Sequence, residues 1–294
     1  MSTDHGTAAD RERALTDEVV AGFGRAAAPR LREVLQSLVR HLHAFTREVR
    51  LTEREWETAI EFLTRAGHIT DDRRQEFILL SDVLGLSMLT VAVNQPRTPG
   101  ATEATVLGPF YTDDAPEIPL GGDLARGAKG TPCFVSGQVR SLDGGPVDGA
   151  LLHVWGADED GFYDVQYSAG RSAGRGRLRT APDGSYRFWT VLPTPYPIPH
   201  DGPVGDLLTA AGRGPMRPAH LHFKATAPGH RTLVTHLFVA GDPHLADDAV
   251  FGVRDSLVVE AERHAAGPAP DGTHPHRPWT SMTFDLVLVP GTDT

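Results

Sequence analysis

The chain changes its grammar near residue 95, and that change constrains the fold more than any other feature. Only Pro29 precedes Pro96, although the sequence holds 23 prolines and 31 glycines. Ahead of the change, Leu31, Val34, Leu35, Leu38, Val39, Leu42 and Phe45 recur at the i, i+3, i+4, i+7 spacing of one buried helical face. Pro29 suits the first turn of that helix. Thr52 and Glu55 have capping-box spacing, the apolar residues Trp56, Ala59, Ile60 and Leu63 follow, and Gly67 is expected to end this second helix. A third apolar segment, residues 77–93, also reads as helical. Past Gln95, short apolar runs between Gly/Pro turns replace the stripes, the pattern of a β-sandwich. Strands are expected at residues 134–139, 150–155, 186–191, 220–225, 232–239, 256–259 and 282–289, with turns at Asp143-Gly144-Gly145-Pro146 and Asp183-Gly184. The Pro/His-rich residues 265–278 read as a loop or surface strap before a last strand. The fold class is therefore α+β, mainly β, with a helical region over 1–105 and a β-sandwich over 106–294.

Composition narrows the function. A 40% apolar, 22% charged chain of 294 residues is globular rather than disordered. Its net charge of −10, without any Lys/Arg run, argues against nucleic acid. The single cysteine, Cys133, excludes an internal disulfide framework and a Cys-rich metal site. The opening MSTDHGTAADRERA lacks the apolar core of a secretory signal. Residues 77–93 carry Asp82 and fall short of the roughly 20 clean apolar residues a membrane span needs. A cytoplasmic, acidic protein with no membrane span is expected.

Three His-x-His pairs occur, and local structure separates them. His41 and His43 lie on a helix, where a step of two points side chains about 200° apart. His274 and His276 lie in the Pro-rich stretch, where nothing rigid fixes them. His220 and His222 lie on an expected strand, where alternate side chains share a face, roughly 6.5–7 Å apart at Cα. Two such imidazoles can converge on one metal, or they can be paired core histidines. Arg217-Pro218 places a permanent cation and a fixed φ just ahead of them. No HExxH, cysteine ligand or neighbouring carboxylate completes the set; Asp242, in Ala240-Gly241-Asp242-Pro243, reads equally well as a turn residue. Oxygen donors must come from elsewhere. Of five tyrosines, Tyr163 in Gly-Phe-Tyr-Asp and Tyr196 between Pro195 and Pro197 sit in segments bordering strands, where each is either a ligand or a packing residue.

These motifs resemble the intradiol ring-cleaving dioxygenases, which open catechol-type rings between their two hydroxyls. The matching stretches are VLGPFY, GALLHVWGADEDGFYDVQ, TAPDGSYRFWTVLPTPYPIPHDGPVGDLL, RPAHLHF and THLFVAGDPHLADDAVFGVRDSLVV. Within the family, the segments after Tyr196 and around His236 look most like the branch acting on hydroxyquinol, benzene-1,2,4-triol. The resemblance implies one Fe(III) per subunit held by Tyr163, Tyr196, His220 and His222. It implies catalytic roles for Tyr196, as the ligand that leaves with a substrate proton, and for Arg217. It places His236 just outside the ligands, near oxygen, and the substrate among Leu79, Asp82, Val106, Leu107, Gly108, Pro109, Phe110, Ile198, Pro199 and Arg217. Asp82 would meet the third ring hydroxyl, or else serve as a helix cap.

The implied reaction joins a small aromatic diol or triol with O2 to give 3-hydroxy-cis,cis-muconate, or maleylacetate, in aromatic catabolism. The implied assembly is a homodimer through the N-terminal helices, with phospholipid a candidate occupant of the seam. Catechol and chlorocatechol are the alternative substrates within the family. Outside it, the sandwich segments also resemble non-catalytic transthyretin-like binding modules, which have no need of two tyrosines and two histidines at these positions.

Overall fold

The computed structural model describes residues 7–71, 74–167 and 172–291. The chain divides into two compact units, Met1–Arg65 and Ala66–Thr294. The first contains α1 (Ala8–Phe23), α2 (Pro29–Val49) and most of α3 (Glu53–Ile69). Reciprocal Thr7–Asp10 hydrogen bonds start α1, a helix the sequence pattern did not announce. Pro29 opens α2, and Arg50 closes it in the left-handed conformation. The expected capping box also forms: Thr52 N donates to Glu55 Oε2 at 2.8 Å, and Glu55 N to Thr52 Oγ1 at 3.3 Å. The third helix runs on to Ile69, two residues past Gly67. The α2 stripe differs from expectation. Leu31, Val34, Leu38, Leu42 and Phe45 are exposed, because α1 packs on the other side of α2, where Thr16 Oγ1 meets His43 Nδ1 at 3.0 Å and accepts from Arg47 Nη1 at 2.7 Å.

In the second unit the apolar stretch is two helices, α4 (Glu76–Val83) and α5 (Leu86–Asn94), bent by 76° about the left-handed Gly85. No single helix among the described residues is long and apolar enough to cross a membrane. The strands are β1 (Pro132–Ser141), β2 (Leu151–Gly156), β3 (Arg175–Arg179), β4 (Ser185–Val191), β5 (Tyr196–Pro197), β6 (Met216–Arg217), β7 (His220–Thr226), β8 (Leu233–Val239), β9 (Val258–Val259), β10 (Glu262–His264), β11 (Trp279–Thr283) and β12 (Leu286–Leu288), with α6 (Pro203–Ala210) between β5 and β6.

One sheet is built on β1, which pairs antiparallel with β4 and parallel with β11 and β12 in turn; β10 edges β11. The other runs β3-β2-β7-β8-β9. Val135, Val139, Phe188 and Met282 from the first join Leu152, Val154, Leu221, Phe223 and Leu237 from the second in one buried core. The single strand expected over 282–289 is broken in two, because Asp285 Oδ1 accepts from Gln138 N at 2.9 Å and the Phe284 carbonyl turns toward β1. Only a glycine fits opposite: a Cβ on Gly137 would lie 1.7 Å from Phe284 O. Of the strand expected at 256–259, the first part is a 3-10 turn, Asp255–Leu257.

Candidate active site

The second sheet brings most of the chemistry to one face. His220 and His222 both project from β7, and register places Trp155 of β2 and His236 of β8 on either side of His222. The Trp155 ring stacks on His222 with centroids 4.6 Å apart. Beyond the sheet, the short β5–β6 ladder sets Tyr196 directly opposite Arg217. Tyr163 starts the turn after β2, its N–H donating to Gln166 Oε1 at 2.8 Å and its ring stacked on Phe110 at 4.5 Å.

The functional atoms converge. Tyr163 Oη lies 3.1 Å from Tyr196 Oη, 2.9 Å from His222 Nε2 and 3.4 Å from His220 Nε2; the two Nε2 atoms are 3.2 Å apart. All four side chains are buried. His220 Nδ1 donates to Pro218 O at 2.7 Å, and a carbonyl can only accept, so Nε2 presents its lone pair. Arg217 Nη1 donates toward that atom at 3.1 Å, while its Nε and Nη2 engage Asp248 at 3.1 and 3.4 Å.

Burial sets the protonation states. It pushes His220 down to about 3, with Arg217 adding to the effect, and holds His222 and His236 well below the usual imidazole value. These are neutral, ligand-ready imidazoles. Burial and the neighbouring Tyr196 drive the Tyr163 phenol well above its ordinary value, partly offset by Arg217 and Arg175. A Tyr163 phenolate therefore requires a cation beside it. The charged groups around them are already matched: Arg217 by Asp248, and Arg175 by Asp164, with Arg175 Nε donating to Asp164 Oδ1 at 2.7 Å. Two phenols, two neutral imidazoles and otherwise paired charges fit a hard trivalent ion. Three further imidazole nitrogens at the site, His222 Nδ1 and both those of His236, have no hydrogen-bond partner, and His220, His222 and His236 form a group able to hold a metal.

A cavity of about 520 Å3 has Leu79, Asp82, Pro109, Phe110 and Pro199 in its wall, with Ile78, Tyr111 and Val165. Asp82 lies in the last turn of α4 rather than at a helix start; burial raises its carboxyl, while a hydrogen bond with Ser87 and the charge of Arg217 pull it down. Gly108, at φ 78°, lies so close to the histidine-bearing face that a Cβ would stand 3.1 Å from His222 Cε1. Val106 and Ile198 are buried outside this wall, and Leu107 is 39% exposed. Asp242 acts as a turn residue, its Oδ2 accepting from Ala219 N at 2.9 Å. Sequence reading missed the two counter-ions. Asp164 could have been found, because it follows Tyr163 directly and faces the polar strand β3; nothing in the spacing of Asp248 marks it.

A buried two-tyrosine, two-histidine cluster on a β-sandwich that follows a helical region in the sequence defines a class of ring-cleaving oxygenases, and the comparisons agree. Residues 107–290 match the family model described as Dioxygenase, and residues 28–102 match that described as Catechol dioxygenase N terminus. The chain belongs to the intradiol ring-cleavage dioxygenase family. It is 59% identical over 281 residues to hydroxyquinol 1,2-dioxygenase of Nocardioides simplex, covering 95% of this chain and 96% of that protein. A hydroxyquinol 1,2-dioxygenase of Corynebacterium glutamicum is 54% identical over 296 residues, covering 99% and 98%. The solved hydroxyquinol 1,2-dioxygenase of Pseudomonas putida DLL-E4 superposes with TM-score 0.89 at 44% identity, covering 95% of this chain and 99% of that one.

Proposed function

We propose that the protein is a non-haem Fe(III) enzyme that cleaves hydroxyquinol with O2, between the two adjacent hydroxyls, to 3-hydroxy-cis,cis-muconate, the enol form of maleylacetate. The convergence of Tyr163, Tyr196, His220 and His222 beside a cavity bearing Asp82 carries this reading. High identity to proteins named for that substrate supports it. Held by those four side chains, one Fe(III) per subunit would supply Lewis acidity that makes a chelated diol electron-rich toward O2.

The chain's residues supply the rest. Tyr196 Oη takes one of the protons the diol loses on binding, whereas Tyr163 is braced by Phe110 and stays in place. Arg217, fixed by Asp248, sets a permanent cation beside the ligands, where it stabilises negative charge developing on the ring. Leu79, Pro109, Phe110 and Pro199 exclude water, and Val106, Leu107, Gly108 and Ile198 complete the ring's surroundings. His236 stands beside His222 on the oxygen side. Asp82 pairs with the third hydroxyl, which would otherwise cost ~1–3 kcal/mol to bury.

The same reading divides the chain into a dimerisation region, 1–105, and a catalytic sandwich, 106–294; the boundary between the two family matches supports it. It makes the protein a cytoplasmic homodimer through the N-terminal helices, with phospholipid at the seam. The test is oxygen uptake by iron-loaded protein on hydroxyquinol and catechol side by side, with products identified by mass. The expected results are a visible tyrosinate-to-iron band, one O2 consumed per hydroxyquinol and a product heavier by both oxygen atoms. Colourless, inactive iron-loaded protein would overturn the reading; faster turnover of catechol or a chlorocatechol would replace the substrate.

A further inference from the structure

His236 is fully buried on β8, and neither of its ring nitrogens has a hydrogen-bond partner. Its ring stands edge-on to His222, centroids 4.2 Å apart, and 4.9 Å from that of His220. The strand register explains the grouping, since His236 lies directly opposite His222 on the face that also carries His220. One ligand nitrogen from each of the three lies within 4.8 Å of the others. A tetrahedral ion at ~2.0–2.1 Å from each nitrogen needs them about 3.3 Å apart. His220 and His222 already stand at 3.2 Å, and a swing of His236 by roughly 1.5 Å closes the set at the 2.0–2.1 Å bond length. That swing breaks no hydrogen bond.

We propose that His220, His222 and His236 form a second coordination mode of this centre, a three-imidazole site for borderline divalent ions such as Cu2+ and Zn2+. The proposal rests on the ligand reading above for two of its three residues and adds the third. Hard Fe(III) selects phenolate oxygen, so His236 remains outside its coordination. A divalent ion of borderline softness favours imidazole and gains less from two phenolates, which makes the third nitrogen the better donor. Solvent or Tyr163 Oη, 2.9 Å from His222 Nε2, completes a four-coordinate site. The site is thereby open to the wrong metal: a divalent ion bound this way occupies the nitrogens that iron requires.

Metal-free full-length protein and its His236→Gln variant, each loaded with one equivalent of Cu2+, provide the test. Nitrogen superhyperfine splitting in the electron paramagnetic resonance spectrum should count three imidazoles in the wild type and two in the variant. In parallel, Zn2+ should bind the variant at least about tenfold more weakly by competition with a chromophoric chelator. The Fe(III) visible band of the variant should keep its position, which separates this mode from the tyrosinate site. Two nitrogens in both proteins, or equal Zn2+ affinity, would overturn the proposal. Absence of the visible band from iron-loaded wild type would instead strike the iron reading and leave the nitrogen count standing.

Discussion

Tyr196 shows how much a single side chain's role depends on its backbone. Prolines on both sides limit its conformations, and pairing with Arg217 across the β5–β6 ladder fixes its direction. Its hydroxyl lies 3.1 Å from that of Tyr163, close enough for one cation to engage both oxygens. Tyr196→Phe should shift the visible band of the iron-loaded protein and lower kcat by about 10²-fold, because the substrate loses a proton acceptor. Unchanged turnover would remove Tyr196 from the mechanism. The specificity role proposed for Asp82 depends on its surroundings in the same way. Buried beside the cavity and within reach of Arg217's charge, its carboxyl would keep Ser87 but lose the ring hydroxyl as a partner when catechol replaces the triol. Asp82→Asn should narrow the hydroxyquinol-to-catechol ratio of kcat/KM about tenfold, equivalent to ~1.4 kcal/mol, with iron content unchanged. A lower Tm with an unmoved ratio would reduce Asp82 to a structural residue.

Between elements, Arg213 ties together two segments that carry those residues. Its Nη1 donates to Val83 O at 2.6 Å, beside Asp82, and its Nη2 to Ala249 O at 3.0 Å, beside Asp248. Its guanidinium lies 4.3 Å from the centre of the Phe251 ring, a residue held at φ 58°. Arg213→Ala removes two charge-assisted hydrogen bonds and should cost about 2–4 kcal/mol of stability. It should also lower the hydroxyquinol-to-catechol ratio while leaving the iron band in place; a Tm change alone would deny it any positioning role. None of this was legible beforehand, because Arg213 bonds to carbonyls and carbonyl partners leave no trace in side-chain pattern. Strand β7 was legible for the opposite reason: the two-residue period of a strand is written directly into His220-Leu221-His222. The polar strand β3 was not, since Arg175 is buried only by virtue of its pairing with Asp164. Nor was the break between β11 and β12, which depends on a hydrogen bond from Gln138 on a strand far away in sequence.

For the molecule as a whole, the buried imidazoles couple stability to pH. In the unfolded chain a histidine titrates near 6.5, whereas folded His220 binds a proton only at about 3, and His222 and His236 are also shifted well down. Below 6.5 the unfolded state therefore holds more protons, and folding stability falls with pH until the folded imidazoles protonate. Melts of metal-free protein between pH 8 and pH 5 should show Tm dropping below about pH 6.5. The drop should be smaller in His236→Gln, and an equal slope in both proteins would show that His236 does not contribute.

The first unit raises a different question, because its strongest apolar pattern does not find a core. With α1 on the Gln36–His43–Arg47 side of α2, the opposite side leaves Leu31, Val34, Leu38, Leu42, Phe45 and Val49 exposed in one continuous stripe. Trp56, Ile60 and Leu63 of α3 are exposed as well. An apolar surface of this extent marks an association site, and a second copy of the same stripe is a self-complementary partner for it. Sedimentation at micromolar concentration should give a dimer. Leu42→Glu would place two like charges in an apolar seam and should yield a monomer. Because Tyr163, Tyr196, His220 and His222 all belong to the other unit, that monomer should keep its iron band. A wild-type protein that sediments as a monodisperse monomer would leave the stripe to another partner and end the dimer proposal.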